Sequence, residues 1–475
     1  MRGRDATAFV TCAATLLALM NYTAPMAVLP DMAASFDSSA AGKTWILNGI
    51  AVGLAATLLT SGSLADNFGR RRVFSAGLVA LAAASLVCAA APSTGLFVLG
   101  RFAQGTATAA VIAAGLGALA NAHPDARART RATGIWGAML GAGIALGPLA
   151  SALAEALGDW RLFYVGLAAS SAVLAVAAVV RMSESRAQRP RRVDLWGMIT
   201  LTAGVALLIT TLTFGREGWT RPETGWLGAA TAVMLILFVV VENRRREPML
   251  DMALFADRAF VAATTGAFAN GLGTIALMSY LPTLLQTTMG LSPLHTAEIY
   301  TAWAGTSFVV ALAARRLAGR VSPGSRITIA LVMAAVGTLA MLGACGADSW
   351  PRLLPGLFIA GISSGVMNAT LAGQAVATVP PDRTSMGSGA NNTARYIGSA
   401  LGVAIVVTVS TGSADAAEGA DAALWVSAAM SAVCACLVLA TRLRHPGRAE
   451  AAPSGPGRAP ERPVARSTSA SGRRE

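Results

Sequence analysis

Apolar runs of about twenty residues recur along almost the whole chain, and that length matches the roughly 30 Å hydrocarbon core of a bilayer at 1.5 Å rise per residue. Fourteen runs are read, at about 8–30, 45–64, 73–91, 95–120, 131–153, 160–180, 194–214, 225–242, 260–282, 296–314, 327–347, 353–378, 387–410 and 421–441. The expected class is therefore an all-α membrane protein, with the bilayer itself as a partner.

The positive charges divide the loops into two sets. Of the 37 Lys and Arg, nearly all lie at the tip (Arg2, Arg4), in loops after even-numbered runs, or in the tail. Those loops hold Arg70, Arg71 and Arg72; Arg127, Arg129 and Arg131; Arg181, Arg186, Arg189, Arg191 and Arg192; Arg244, Arg245, Arg246 and Arg258; Arg315, Arg316, Arg320 and Arg326; and Arg383. The other side has only Lys43, Arg161, Arg216, Arg221 and Arg352, while Arg101 and Arg395 fall inside runs. The positive-inside rule then places both termini in the cytoplasm of a multi-pass plasma-membrane protein. One missed or invented helix would scramble this alternation.

A 54% hydrophobic and 13% charged composition excludes an ordinary soluble domain. The net charge of +13 would suit a nucleic-acid binder, yet the basic residues sit beside membrane spans, where topology and anionic headgroups account for them. No nucleic-acid partner is expected. The five cysteines all lie in apolar runs, so disulfides are not expected. Cys434 and Cys436 are two apart on a helix, on nearly opposite faces, which disfavours a metal pair. Arg2, Arg4 and the following run imitate a signal peptide, but the run continues to Pro30 without a cleavage site and is read as the first helix. The tail is rich in Arg, Pro, Ser, Gly and Ala, and is read as disordered.

The longest basic loop, about 181–193, reads as a linker between halves. The expected organisation is a six-helix bundle (1–180), a linker with two inserted helices (181–258), a second six-helix bundle (259–441) and a cytoplasmic tail (442–475). A weak echo supports it: Leu64-Ala65 precedes Gly69 and Arg70, as Leu317-Ala318 precedes Gly324 and Arg326. Paired repeats flanking a site are typical of secondary transporters.

Three segments carry local chemistry. In Gly62-Ser63-Leu64-Ala65-Asp66-Asn67-Phe68-Gly69-Arg70-Arg71-Arg72 the glycines allow a tight loop, and Asp66 can cap a helix or pair with an arginine. In run four, Arg101 precedes Gln104 and Gly105; an arginine inside a bilayer is costly by roughly 2.5–3.5 kcal/mol unless it finds water, a partner or a snorkelling route. In run five, Gly143 and Gly147 are one turn apart, permitting close backbone approach, and Pro148 bends the helix.

Together these segments resemble the loop, fourth-helix and fifth-helix signatures of the major facilitator superfamily. Leu29-Pro30, Asp159-Trp160-Arg161, Asp194-Leu195-Trp196-Gly197, Glu247-Pro248-Met249-Leu250-Asp251, Leu281-Pro282 with Gln286, and Arg395 with Gly398 and Gly402 extend the likeness to its fourteen-helix drug/proton antiporter branch. The resemblance implies the major facilitator fold, two six-helix bundles plus two extra helices, working as a monomer. It assigns a conformational latch to Gly62, Asp66, Gly69 and Arg70, proton coupling to Arg101 with Gln104, and an export-associated packing motif to Gly143, Gly147 and Pro148. The motif's usual trailing glycine pair is here Ser151-Ala152. Arg395 has no acidic neighbour in sequence and could contact a substrate carboxylate, a helix C-terminus or a distant aspartate.

One departure matters. The branch usually carries an aspartate nine residues before the Leu-Pro proline, and here that residue is Asn21, an amide that cannot titrate. Either another acid couples transport or the substrate is not a simple lipophilic cation. Asp31, Glu155 and Glu298 read as solvated boundary residues. Asn21, Asn48, Asn270, Asn368, Asn391 and Asn392 could line a polar cavity or bridge helices. Trp45, Trp136 and Trp303 read first as packing residues.

No nucleophile, acid pair, metal set or nucleotide-binding loop appears, so no enzyme activity, metal or cofactor is expected and ATP is not the expected energy source; the family resemblance implies a proton gradient instead. The expected function is proton-coupled export of a small amphipathic drug, antibiotic or toxic metabolite. Uptake or another coupling ion, and a transporter-like sensor, are the alternatives. Nearly exclusive use of Arg over Lys points to a GC-rich bacterial source.

Overall fold

The computed structural model describes residues 3–188, 194–215, 218–245, 248–250, 252–314, 321–347 and 349–443. Arg189, Pro190, Arg191 and Arg192 of the linker, Glu247 and Asp251, the Leu317-Ala318 echo and the tail beyond 443 lie outside these residues. The described chain is helical: α1 Gly3–Thr23, α2 Pro25–Ser35, α3 Ala40–Phe68, α4 Arg70–Ala89, α5 Thr94–Ala122, α6 Ala126–Ala156, α7 Arg161–Arg181, α8 Leu195–Gly215 and α9 Pro222–Arg244 are followed by α10 Arg258–Asn270, α11 Ala276–Met289, α12 Pro293–Ala313, α13 Pro323–Leu339, α14 Leu354–Ala377, α15 Thr384–Thr411 and α16 Ala416–Leu443. Side chains mark several starts, since Ser39, Ser93, Asp125, Ser292 and Ser322 each accept the backbone N–H three residues on.

Among the described residues, twelve helices are long and apolar enough to cross a membrane, so the expected fourteen are not reached on that measure. The two that fall short have physical reasons. Helix α12 carries Glu298 among Thr296, Tyr300, Thr301 and Trp303, which dilutes its apolar character. Helix α13 has 17 residues; the run expected to reach 347 leaves the helix at Ala340 and continues as turns, with Gly343 at φ 72°.

Two expected spans are interrupted. The first breaks at Ala24, between α1 and α2, with Pro25 starting the second piece and Val28 off helical geometry. The ninth contains a π-helical turn, Gly271–Ile275, between α10 and α11, and these together form one crossing from Arg258 to Met289.

Arg70, Arg71 and Arg383 come together with Glu184, Pro381 and Asn67 at one end, called here the basic end. An apolar cluster packs the two parts of the chain together there: Leu58, Leu116 and Trp136 meet Ala375, Val376, Met386 and Ala390. The α8–α9 pair lies across the outside of this joint. Thr202 of α8 meets Thr60 of α3 at 3.3 Å, Phe214 packs on Trp45, and Trp219 donates to Thr408 of α15 at 3.3 Å. Helix α9 leaves Trp226, Val233, Ile236 and Leu237 exposed, as a lipid-facing helix should.

Candidate functional site

At the basic end, Asp66 is fully buried and joins distant parts of the chain. Arg70 reaches its Oδ1 with Nη2 at 2.8 Å and Nε at 2.9 Å. The backbone N–H groups of Ser385 and Met386 donate to Oδ1 and Oδ2 at 3.2 and 2.8 Å. These are among the unpaired donors at the start of α15, so the carboxylate caps that helix and meets the positive end of its dipole. Arg70 also donates to the Pro381 carbonyl at 3.4 Å, and Arg383 to Asn67 at 3.3 Å. Gly62 passes directly against the Ser385 backbone. Gly69 has φ 116°, and a Cβ there would stand 2.8 Å from the Glu184 carboxylate carbon, so the turn needs glycine for both conformation and space. The linker closes over this loop: Ser185 O accepts from Arg70 N, and Asp66 O from Ala187 N, both at 2.8 Å.

Arg101 is fully buried where span one breaks. Its Nη1 donates to the Asn21 carbonyl and side-chain Oδ1, each at 2.8 Å, and to Gln104 Oε1 at 3.1 Å. Its Nη2 donates to the Tyr22 carbonyl at 3.3 Å. The end of α1 leaves carbonyls that no following turn can satisfy, and a cation is the favoured partner there. Gln104 is held in turn by Ser85 at 2.9 Å. On the other flank of the break, Ser151 donates to the Ala24 carbonyl at 2.6 Å. The glycines of α6 bring that helix close: a Cβ on Gly143 would sit 2.6 Å from the Leu16 carbonyl, and one on Gly147 2.5 Å from that of Met20. Substituting serine for the motif's trailing glycine thus supplies a hydrogen bond to the break.

Arg395 lies on α15, only 5% exposed. Nη2 donates to Asn392 at 2.6 Å and Nη1 reaches Asn368 of α14 at 3.5 Å, while its guanidinium lies 5.3 Å from the Tyr396 ring centroid. Its Nε has no hydrogen-bond partner. Neither Arg101 nor Arg395 enters a described ion pair. Opposite Arg395 runs the π-helical turn: Gly271 abuts the Arg395 carbonyl, and Gly398 and Gly402 abut Phe268 and Leu272. Such turns often accompany functional sites.

Two adjoining cavities lie between the parts of the chain. A small one of about 40 Å³ is lined by Arg395, Asn368, Tyr300 and Trp303 together with Leu140 and Ile144 of α6. A larger one of about 390 Å³ extends toward the end away from the arginines, with exposed Lys43 on its lining beside Leu29, Asn48 and Val407. Tyr22, Met26, Ser279 and Tyr396 line both. Tyr22 and Tyr396 stand 6.0 Å apart at the junction.

The sequence candidates separate on this map. Asn48, Asn368 and Arg395 line cavities. Asn392 and Asn391 are buried on α15, the first bound to Arg395 and the second donating to the Ala263 carbonyl at 3.0 Å. Asn21, Arg101 and Gln104 line neither cavity, and Asn270 is buried in α10 away from both. Asp31 and Glu298 are exposed, and Glu155 accepts from Trp160 N at 2.8 Å in a turn. No residue of α5 lines either cavity, whereas Ile209 and Thr213 of inserted helix α8 line the larger one. Sequence reasoning missed the tyrosines: of the 5 in the chain, Tyr22, Tyr280, Tyr300 and Tyr396 all line cavities, and their scarcity was the available signal.

The sequence model of the Major Facilitator Superfamily matches residues 11–403. The chain is 31% identical over 419 residues to the puromycin resistance protein pur8 of Streptomyces alboniger, covering 87% of this chain and 82% of that protein. It is 30% identical over 383 residues to the multidrug resistance protein Stp of Mycobacterium tuberculosis, covering 80% and 71%. It is also 30% identical over 416 residues to the probable actinorhodin transporter of Streptomyces coelicolor, covering 84% and 71%. Among solved structures, the human organic anion transporter MFSD10 superposes with TM-score 0.67 at 18% identity, covering 92% of this chain and 99% of that one. The proton:xylose symporter XylE does so with TM-score 0.65 at 12% identity, covering 92% and 95%. The chain belongs to the Major Facilitator Superfamily, and is a multi-pass membrane transporter rather than an enzyme.

Proposed function

We propose that this protein exports small amphipathic compounds, drugs or antibiotics among them, across the plasma membrane by alternating access driven by the proton gradient. One observation carries the reading: the two ends differ. Helices from both parts of the chain line a cavity toward the far end, while Asp66, which caps α15, and the apolar cluster close the basic end. A site between two bundles with one side closed is the arrangement that alternating access uses. The puromycin, multidrug and actinorhodin names of the relatives support drug-like cargo.

The same proposal includes fourteen crossings, with α12 and α13 spanning alongside the twelve, because the arginine alternation needs both. The bundles are then 1–180 and 259–441, α8 and α9 are the inserted pair within 181–258, and both termini face the cytoplasm. The fourteen-helix drug/proton antiporter branch has this arrangement. The transporter works as a monomer. Arg101 enters coupling through the break it holds in the first span, since it lines no cavity.

The test is flux in proteoliposomes alongside drug tolerance in an efflux-deficient host. Export predicts higher tolerance and lower accumulation on expression, and flux driven by a pH gradient alone. Higher accumulation would indicate uptake, and sodium-dependent, pH-insensitive flux would replace the coupling ion. Ligand binding without flux under any imposed gradient would make the protein a sensor.

A further inference from the structure

We propose that the substrate is an amphipathic organic anion whose negative head enters the small cavity and binds Arg395. This rests on the export reading and specifies its cargo.

Three observations converge. First, Arg395 is a buried cation whose described side-chain partners are all neutral, the amides of Asn368 and Asn392 and the hydroxyl of Tyr396, and whose Nε has no hydrogen-bond partner. A buried charge ordinarily requires a counter-charge or full hydrogen bonding. Arg395 also lines the small cavity. Second, the residues lining the two cavities include two cations, Arg395 within and Lys43 near the mouth, and no carboxylate. Lys43 is the only lysine in the chain. A cationic drug would meet repulsion at both places, and Asn21 supplies no acid to offset it. Third, the volumes fit a head and a body. About 40 Å³ admits a carboxylate or sulfonate but no ring system. About 390 Å³, walled largely by Met26, Leu47, Val403 and Val407, falls in the range of small-molecule sites. The Tyr22–Tyr396 junction marks where head and body would meet.

A guanidinium binds a carboxylate through charge-assisted hydrogen bonds, stronger than those it makes to amides. Arg395 therefore exchanges weak acceptors for a strong one when the anion arrives. No bond is made or broken.

The test uses the purified full-length chain and three radiolabelled probes that differ only in the head: 1-naphthylacetate, 1-naphthylacetamide and 1-naphthylmethylammonium. Equilibrium binding should favour the acid over the amide by roughly ten- to a hundredfold, with the ammonium weakest. Arg395→Gln should bring the acid down to the level of the amide, and Arg395→Lys should retain most of the preference. The three-probe comparison needs no variant, so misfolding of Arg395→Gln cannot hide the result. Equal affinity for acid and amide, including binding of neither, overturns the proposal; so do preference for the ammonium and preference for the acid surviving in Arg395→Gln. Arg395-dependent acid binding without flux under any gradient would sustain the anion site and sink the export reading. Flux of the ammonium probe undiminished by Arg395→Gln would do the reverse.

Discussion

Arg101 and Arg395 are both buried within apolar spans and enter no described ion pair, and their surroundings differ. Arg101 is enclosed by oxygens, two of them backbone carbonyls at the broken end of α1, and it lines no cavity. Arg395 has only neutral side-chain partners, Asn368, Asn392 and Tyr396, and it lines a cavity. Both bear the desolvation cost of a buried cation. At Arg101 that cost is offset by completing a helix end, and at Arg395 the proposed anion would offset it. The Nε of each arginine has no hydrogen-bond partner, so the difference between them is that Arg395 lines a cavity and Arg101 does not.

The largest expected effect comes from Arg101→Ala. It strands the carbonyls of Asn21 and Tyr22 inside the bundle, at a cost of roughly 3 kcal/mol, which thermal unfolding in detergent will register as a fall of several degrees. Arg395→Gln should lower the melting temperature far less while removing anion preference. Equal losses of stability would erase the contrast between the two arginines.

Next comes the latch. Asp66→Asn removes the ion pair with Arg70 and weakens the cap on α15, so the basic end should open more often. A cysteine placed by Ser385→Cys, buried in the closed form, should then react several times faster with an impermeant maleimide added from that side. Unchanged labelling would show that the apolar cluster alone holds the end shut.

Gly143→Val tests the support beneath the break. Its side chain would run into the Leu16 carbonyl, and overpacking of this kind costs about 1–3 kcal/mol. Thermal unfolding is the measurement, and a neutral result would mean α1 and α6 can part freely.

Asn21→Asp should have the smallest consequence. The new carboxylate would face Arg101 and form a buried pair, shifting the melting temperature by a few degrees at most. The order of affinity among the naphthyl probes should not change, because Asn21 lines no cavity. Acquired preference for the ammonium probe would mean that this region communicates directly with the cargo.

Sequence periodicity and charge made much of this legible, and the limits are specific. Asp66 and Arg70 are four apart on a tight loop, so their pairing could be anticipated. The helix that Asp66 caps begins more than 300 residues later, and no local pattern announces it. Asn21 stood out as a departure, yet its contact with Arg101 depends on how α1 ends, which Pro25 alone did not disclose. Helices α12 and α13 miss the length and apolarity that the other twelve reach, because polar residues dilute the one and a glycine turn shortens the other. In a bilayer the outer surface of a helix is as apolar as its inner face. Hydropathy therefore could not say that α8 would wall the cavity while α5 would not.

Helix α15 has its first turn on Asp66 and carries Arg395 ten residues on, about 15 Å along the axis at 1.5 Å per residue. One rod therefore touches both the lock and the cargo pocket. A ligand that draws the guanidinium out of line tugs on its own bolt, and the step from loading to release needs no messenger between them beyond the stiffness of that single helix.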